Sequence, residues 1–148
     1  MADCYKMIQL TNKNIQAVAA SALIPLGIIT RRVSPNRDNC TTFDVVSTAD
    51  DTVNINRCGY YRVIYNITAV ASAAGVVTFN LLVGGTSVYS VSVTAANGAS
   101  VNVTIPYMVR AFANCASLPA NLPLTIQIEN AGIALTSATA DLLIEKTY

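Results

Sequence analysis

The fold of this 148-residue chain is decided by residues 63–109, VIYNITAVASAAGVVTFNLLVGGTSVYSVSVTAANGASVNVTIPYMV. The stretch contains no charged side chain, and its apolar and polar residues largely alternate. Alternation is typical of β-strands, whose successive side chains point to opposite faces of a sheet. The stretch never offers the roughly 20 consecutive apolar residues that a membrane-spanning helix requires. We therefore expect strands, and no membrane insertion.

The same stretch bears on assembly. Charged side chains are a main defence against the association of sheets. They make up only 11% of this chain, against about 25% in an ordinary soluble domain. A long uncharged sheet is hard to keep dissolved as a single copy. We expect much of its surface to be covered by a partner, most simply by other copies of the chain.

Turn signals divide the chain into short strands. Gly59 begins the longest one, 60–70, and Gly84-Gly85 and Asn97-Gly98 are typical of tight hairpin turns, whose central positions need positive φ. Further strands are expected at 23–33, 40–47, 52–56, 76–83, 86–93, 101–112, 124–130 and 134–146. Eight to ten strands without a helix predict an antiparallel sandwich or a closed barrel.

The N-terminus predicts a segment of a different kind. Residues 1–14 are a polar lead-in, whereas the composition is even from residue 15 to the end, without a linker. We divide the chain into an N-terminal arm, residues 1–22, and one β domain, residues 23–148. The arm is expected either to attach to a partner or to be a disordered end. The candidates for attachment are Tyr5, Met7, Ile8 and Leu10.

Composition argues against catalysis and against metal sites. The chain has no His, which excludes Ser-His-Asp and Cys-His sites and every metal site that uses His. The carboxylates have no spacing that predicts an acid–base pair. The four cysteines show no C-x-x-C spacing and are expected to be free thiols; they are Cys4, Cys40, Cys58 and Cys115. We expect no enzyme activity and no cofactor.

Charge and the N-terminus restrict partners and location. A net charge of +1 offers no electrostatic attraction for nucleic acid. The first residues, MADCYKMIQLTNKN, are polar where a signal peptide needs an apolar core. We therefore expect synthesis in a reducing compartment, the cytoplasm of the cell that makes the protein.

Four segments together resemble the jelly-roll heads of the tumour necrosis factor and complement globular-head superfamily. They are GYYRVIYNITAV (59–70), VTFNLLVGGTSV (77–88), VNVTIPYMVRAF (101–112) and ALTSATADLLIEK (134–146). In that superfamily a Gly precedes an aromatic-rich central strand, as Gly59 precedes Tyr61 and Tyr65 here. The resemblance covers roughly residues 23–146.

The resemblance implies a ten-stranded, all-β, antiparallel jelly-roll sandwich that forms a homotrimer. Inner-sheet aromatic and aliphatic residues would pack along the threefold axis. Phage virion proteins and bacterial spore-surface heads are similar and are also poor in charge. The chain has no collagen stalk and no acidic cluster for calcium, which favours a virion protein over a secreted cytokine or complement role.

Seven residues are candidates for the trimer interface or the core: Tyr60, Tyr61, Arg62, Tyr65, Phe79, Tyr107 and Asp141. The four tyrosines are expected to divide between the sandwich core and the threefold axis. Arg62 and Asp141 lie on strands that the superfamily makes neighbours. We expect these two to form an ion pair across or near a subunit contact; the alternative is two independent solvated charges.

The predicted function is a non-enzymatic structural role on the virion surface, as a trimeric phage capsid decoration or head-fibre protein bound to a capsid or fibre protein. The alternative is an adhesin head that recognises a host surface glycan or receptor. Its recognition loops would be 34–39, 94–100 and 113–123, because loops on a rigid scaffold often carry binding.

Overall fold

A computed structural model describes residues 7–33, 45–55, 59–111 and 124–147. These residues form ten β-strands, and none of them lies in a helix. The strands are β1 (Met7–Val18), β2 (Ile28–Val33), β3 (Val45–Ala49), β4 (Thr52–Ile55), β5 (Gly59–Ala71), β6 (Gly75–Val83), β7 (Thr86–Ala95), β8 (Ser100–Ala111), β9 (Leu124–Asn130) and β10 (Leu135–Lys146).

The strands form two five-stranded sheets. The first sheet has the order β2-β1-β10-β5-β8, and the second has the order β3-β4-β9-β6-β7. Every pairing is antiparallel. From β4 onward the chain passes repeatedly from one sheet to the other. The antiparallel sandwich predicted from the sequence is confirmed, and the closed-barrel alternative is wrong.

The core lies between the two sheets and follows the alternation of the sequence. On β5, Tyr61 and Tyr65 are fully buried, together with the Val, Ile and Ala residues at the alternate positions between and after them. Phe79 on β6 faces them from the second sheet and is also fully buried. Burial of each such large side chain contributes roughly 1.5–3 kcal/mol, so this shared layer holds the sheets together.

The hairpin between β6 and β7 confirms the turn predicted at Gly84-Gly85. Both glycines have positive φ, 61° and 81°. The turn before β8 contains Gly98 at φ 75°, as the Asn-Gly pair predicts. In both turns the backbone adopts a left-handed conformation that side chains with a Cβ disfavour.

The N-terminal segment differs from the prediction. The polar lead-in is wrong from Met7 onward, because residues 7–18 form β1, an internal strand that pairs with both β2 and β10. Ile8 and Leu10 alternate with polar neighbours and are 1% and 0% exposed. This short alternation, MIQLT, is the signal for a strand. The β sandwich therefore begins well before residue 23.

The hydroxyl of Tyr65 is buried in the core. It has no hydrogen-bond partner among the described residues. Burial also raises the pKa of Tyr65 well above its ordinary value of 10.0, because the charged phenolate would lose its hydration. Burial of the aromatic ring stabilises the core, whereas burial of the unpaired hydroxyl lowers the free energy of unfolding.

We expect Tyr65→Phe to raise the free energy of unfolding by about 1 kcal/mol at neutral pH, since an unpaired buried polar group costs roughly 1–3 kcal/mol. The gain should grow above pH 10.0, where the Tyr65 hydroxyl ionises in the unfolded chain but not in the folded one. Urea denaturation on both sides of that pH, at one protein concentration, measures both effects. A variant less stable than wild type would show that the hydroxyl has a partner.

Candidate subunit-contact face

One broad surface of the sandwich is made by the first sheet on the side that points away from the core. We call it the open face and restrict it to strands β1, β10, β5 and β8. Its side chains occupy the strand positions that alternate with the core residues. On β5 these are Tyr60, Arg62, Ile64, Asn66, Thr68 and Val70.

The open face carries apolar side chains in two places. Tyr60 is 40% exposed and Met108 on β8 is 51% exposed, and both lie towards the same end of the face. Further along, Ile64 stands in register between Leu143 on β10 and Pro106 on β8, which gives an apolar row across three strands. Exposed apolar area of this kind is typical of surfaces that a protein partner covers.

The charged side chains at that end of the face have partners within the subunit. The Arg62 guanidinium donates to Glu145 Oε2 over 2.6 Å, and the two residues are paired directly across β5 and β10. The Arg110 guanidinium lies 5.6 Å from the centre of the Tyr60 ring, a cation–π contact. This end of the face therefore combines aromatic, apolar and paired charged groups.

Arg62 and Asp141, predicted to form an ion pair across or near a subunit contact, do not pair within the subunit. The two strands are neighbours, as expected, but in their register Asp141 stands opposite Asn66, four residues further along β5. Asp141 instead accepts a hydrogen bond of 2.7 Å from the Thr11 hydroxyl on β1. Strand assignment without register could not distinguish Asp141 from Glu145 as the partner.

We expect the Arg62–Glu145 pair to contribute less than about 1 kcal/mol to the stability of the isolated subunit, because its side chains are 50% and 34% exposed. A double-mutant cycle of Arg62→Ala and Glu145→Ala, followed by denaturant unfolding at dilutions where single copies prevail, measures the coupling. A coupling free energy above about 2 kcal/mol would contradict this expectation and would indicate that the pair is shielded from water.

A polar hollow of about 100 Å³ opens in the middle of the open face. It forms where β1 changes register against β10, between Asn12 and Gln16. Lys13 and Asp141 line it, with Asn66 and Thr68 from β5 on the opposite side. Around this hollow the open face is hydrophilic, in contrast to its two apolar regions.

The structure separates the seven predicted interface or core residues into three groups. Tyr61, Tyr65 and Phe79 belong to the core of one subunit. Tyr60, Arg62 and Asp141 lie on the open face. Tyr107 is half-buried at the edge where the two sheets meet, and its ring centre lies 6.3 Å from that of Tyr89.

Sequence reasoning missed four residues of the open face: Ile64, Met108, Leu143 and Glu145. Each occupies a strand position next to a core residue, so the alternation itself was the available signal. Of the attachment candidates, Ile8 and Leu10 face the core, Met7 is half-buried at the start of β1, and Tyr5 lies outside the described residues.

The remaining features considered in the sequence concern metal ligands, cysteines, loops and membrane spans. No group of three or more Cys, Asp or Glu lies there in a position to hold a metal ion. All four cysteines and the loops 34–39 and 113–123 fall outside the described ranges. Within those ranges, no helix has the length and apolar character needed to cross a membrane.

Comparisons with known proteins find similarity in structure. No family model and no curated protein sequence matches the chain. The globular domain of zebrafish complement 1qA protein is similar with a TM-score of 0.66 and 10% identity, over 96% of this chain and 97% of that chain. Eiger TNF from S. frugiperda is similar with a TM-score of 0.65 and 9% identity, over 97% and 92%. PRD1 vertex protein P5 is similar with a TM-score of 0.59 and 12% identity, over 97% and 73%.

These likenesses extend over nearly the whole chain, yet the identities are so low that they concern the fold and not a shared activity. They agree with the two five-stranded antiparallel sheets and with the resemblance noted in the sequence, which is confirmed. The protein has the all-β jelly-roll fold of the tumour necrosis factor and complement globular-head superfamily.

Proposed function

We propose that the protein is a non-enzymatic structural protein of a virion, a homotrimeric capsid decoration or head-fibre head of a phage. The observation that carries the proposal is the open face, a sheet surface on which Tyr60 and Met108 are exposed while Arg62 and Glu145 pair with each other. Exposure of these apolar side chains to water is unfavourable for a free subunit, and assembly would bury them.

Self-assembly is the simplest way to cover the open face. Burial of apolar area contributes about 25 cal/mol per Å², and stable interfaces bury roughly 800 Å² on each partner. The face spans four strands of 12 or 13 residues each, which is ample for a contact of that size. The sequence resemblance implies three copies, and closed rings of this kind are common among homo-oligomers.

The virion role is supported by the likeness to a vertex protein, PRD1 P5. A chain of low charge made mostly of strands, without His, is suited to a structural part rather than to acid–base chemistry. The open face would form the trimer, and the remaining surface would contact a capsid or fibre protein at the virion surface.

The test begins with the mass of the purified protein in solution. Analytical ultracentrifugation or light scattering is expected to give three times the 15.6 kDa of one chain. Antibody labelling of purified particles from the source virus should then decorate the capsid surface. A stable single copy at micromolar concentration would overturn the trimer, and unlabelled particles would overturn the virion role.

Within the N-terminal arm, we propose a role in attachment only for the residues that precede β1. Ile8 and Leu10 hold β1 against the core, so a deletion that includes them would remove a strand and report on folding. Deleting residues 2–6 tests attachment without that effect. Unchanged incorporation of the shortened protein into particles would exclude the segment as an anchor.

A receptor- or glycan-binding head is the second candidate function. Its support is the aromatic edge formed by Tyr89, which is 40% exposed, and Tyr107, since exposed aromatic rings serve as contact surfaces for binding partners. A glycan array and a cell-binding assay with the purified protein test it. Binding that is lost in Tyr89→Ala, while the oligomer mass is unchanged, would favour this function.

A further inference from the structure

Not every charged side chain on the open face has an ion-pair or cation–π partner within the described part of the subunit. A charge that a partner removes from water needs an opposite charge or hydrogen bonds to offset its lost hydration. Five charged side chains point outward from β1, β10, β5 and β8 in the described ranges. Arg62 and Glu145 pair with each other, and Arg110 lies over an aromatic ring. Lys13 and Asp141 are the two that remain.

Lys13 and Asp141 line the same polar hollow but do not form an ion pair within the subunit. Asp141 accepts the Thr11 hydroxyl at 2.7 Å. Lys13 is exposed and has no ion-pair partner among the described residues. The pairing of β1 with β10 is irregular directly after Asn12 and resumes at Gln16. The middle of the face therefore presents one cation and one anion side by side, both directed outward.

We propose that Lys13 of one subunit pairs with Asp141 of a neighbouring copy when the open face is covered. This pairing rests on the proposed self-assembly. It is supported by charge complementarity, because a second copy supplies an Asp141 carboxylate for Lys13 and a Lys13 ammonium group for Asp141. The hollow has room for about three water molecules, enough to admit the end of a lysine side chain.

The contact joins two different residues, so it is heterologous. Each subunit offers its Lys13 to one neighbour and its Asp141 to the other, and a chain of such contacts closes when the rotation between copies allows a ring. A pair of opposite charges between subunits also selects their relative position, because displaced copies would bury both charges unpaired.

Two charge-reversed variants with different affinity tags test the contact. Lys13→Asp alone and Asp141→Lys alone place like charges at every subunit contact, and each is expected to weaken self-association at least about tenfold. When the two variants are mixed, the introduced aspartate of one chain meets the introduced lysine of the other, and the retained Lys13 meets the retained Asp141. Two of the three contacts in a mixed ring are then complementary. Native mass spectrometry and tandem affinity purification should recover mixed oligomers at concentrations where neither variant assembles alone.

The mixture separates this contact from a pair inside one subunit. A subunit of either variant keeps its own like charges, so an internal pair would not be restored by mixing. Asp50→Lys, a reversal in the exposed turn between β3 and β4, is the matched control and should leave the mass unchanged. Asp141→Asn, which retains an acceptor for Thr11, serves if the reversed chains fold poorly: it is expected to weaken association without the need for a reversed charge.

Each outcome decides one proposal. A wild-type trimer whose reversed variants assemble normally, or are not rescued by mixing, would overturn the Lys13–Asp141 contact and leave the trimer standing. A wild-type single copy would overturn the proposed assembly itself. Rescue confined to the mixture is the result that supports the contact.

Discussion

Met108→Asp is expected to convert the assembled protein into single folded subunits. Met108 is 51% exposed on the open face, so the folded subunit tolerates a carboxylate there. In the assembly the same carboxylate would lose its hydration, and its cross-strand neighbour Arg62 is already paired with Glu145, so we expect a cost of several kcal/mol at each contact. Because each 1.4 kcal/mol changes an equilibrium constant tenfold, we expect the dissociation constant to rise by about 100-fold or more.

The matched control is Val76→Asp. Val76 is 47% exposed and also lies on a strand, but it points outward from the second sheet. Its substitution should leave the oligomer mass unchanged. Sedimentation across a concentration series compares the two variants, and circular dichroism confirms that both are folded. Equal effects of the two substitutions, or none from Met108→Asp, would show that the open face is not the contact surface.

Gly27→Ala is expected to cause the largest loss of stability within the subunit, about 3 kcal/mol or more. Gly27 has φ 81°, which costs a residue with a Cβ about 1–2 kcal/mol. An added Cβ would also meet the β1 backbone, at Thr11 and at 2.7 Å from the Asn12 Cα. Backbone of an internal strand cannot move aside without disturbing its pairing, and such overpacking adds about 1–3 kcal/mol.

Gly85 provides the matched control for this substitution. It has the same φ of 81°, but a Cβ there would meet nothing within 4 Å. The difference in unfolding free energy between Gly27→Ala and Gly85→Ala therefore isolates the steric term from the conformational one. Denaturant unfolding of both variants measures it. Equal losses would mean that the segment before β2 moves away from β1 at little cost.

Most strands could be predicted from the sequence because their signals are local. The alternation of apolar residues identified β5, β6, β8, β9 and β10 to within a few residues, and the predicted limits of β9, residues 124–130, agree with the structure. Glycine and asparagine pairs identified the hairpins for the same reason, since a turn depends on two or three consecutive residues. β1 was missed because its short alternation lies among polar and charged residues.

The candidate site could be predicted only in part. Tyr60, Arg62 and Asp141 lie on the open face, but the partner of Arg62 is Glu145, 83 residues away in the chain. A shift in register of a few residues replaces one carboxylate with another, and no local pattern reports that shift. Asn130 illustrates the same limit, because its buried amide donates to the carbonyl of Ala19, 111 residues away in the chain.

The amino-acid sequence by itself determined that this protein consists of β-strands in which apolar and polar residues largely alternate, with few charged side chains anywhere. Tertiary structure alone decided that β1 lies between β2 and β10, that Lys13 and Asp141 share one hollow, and which tyrosines face the core. The reason is physical: strand formation depends on neighbouring residues, whereas strand order and register depend on contacts between residues far apart in the chain.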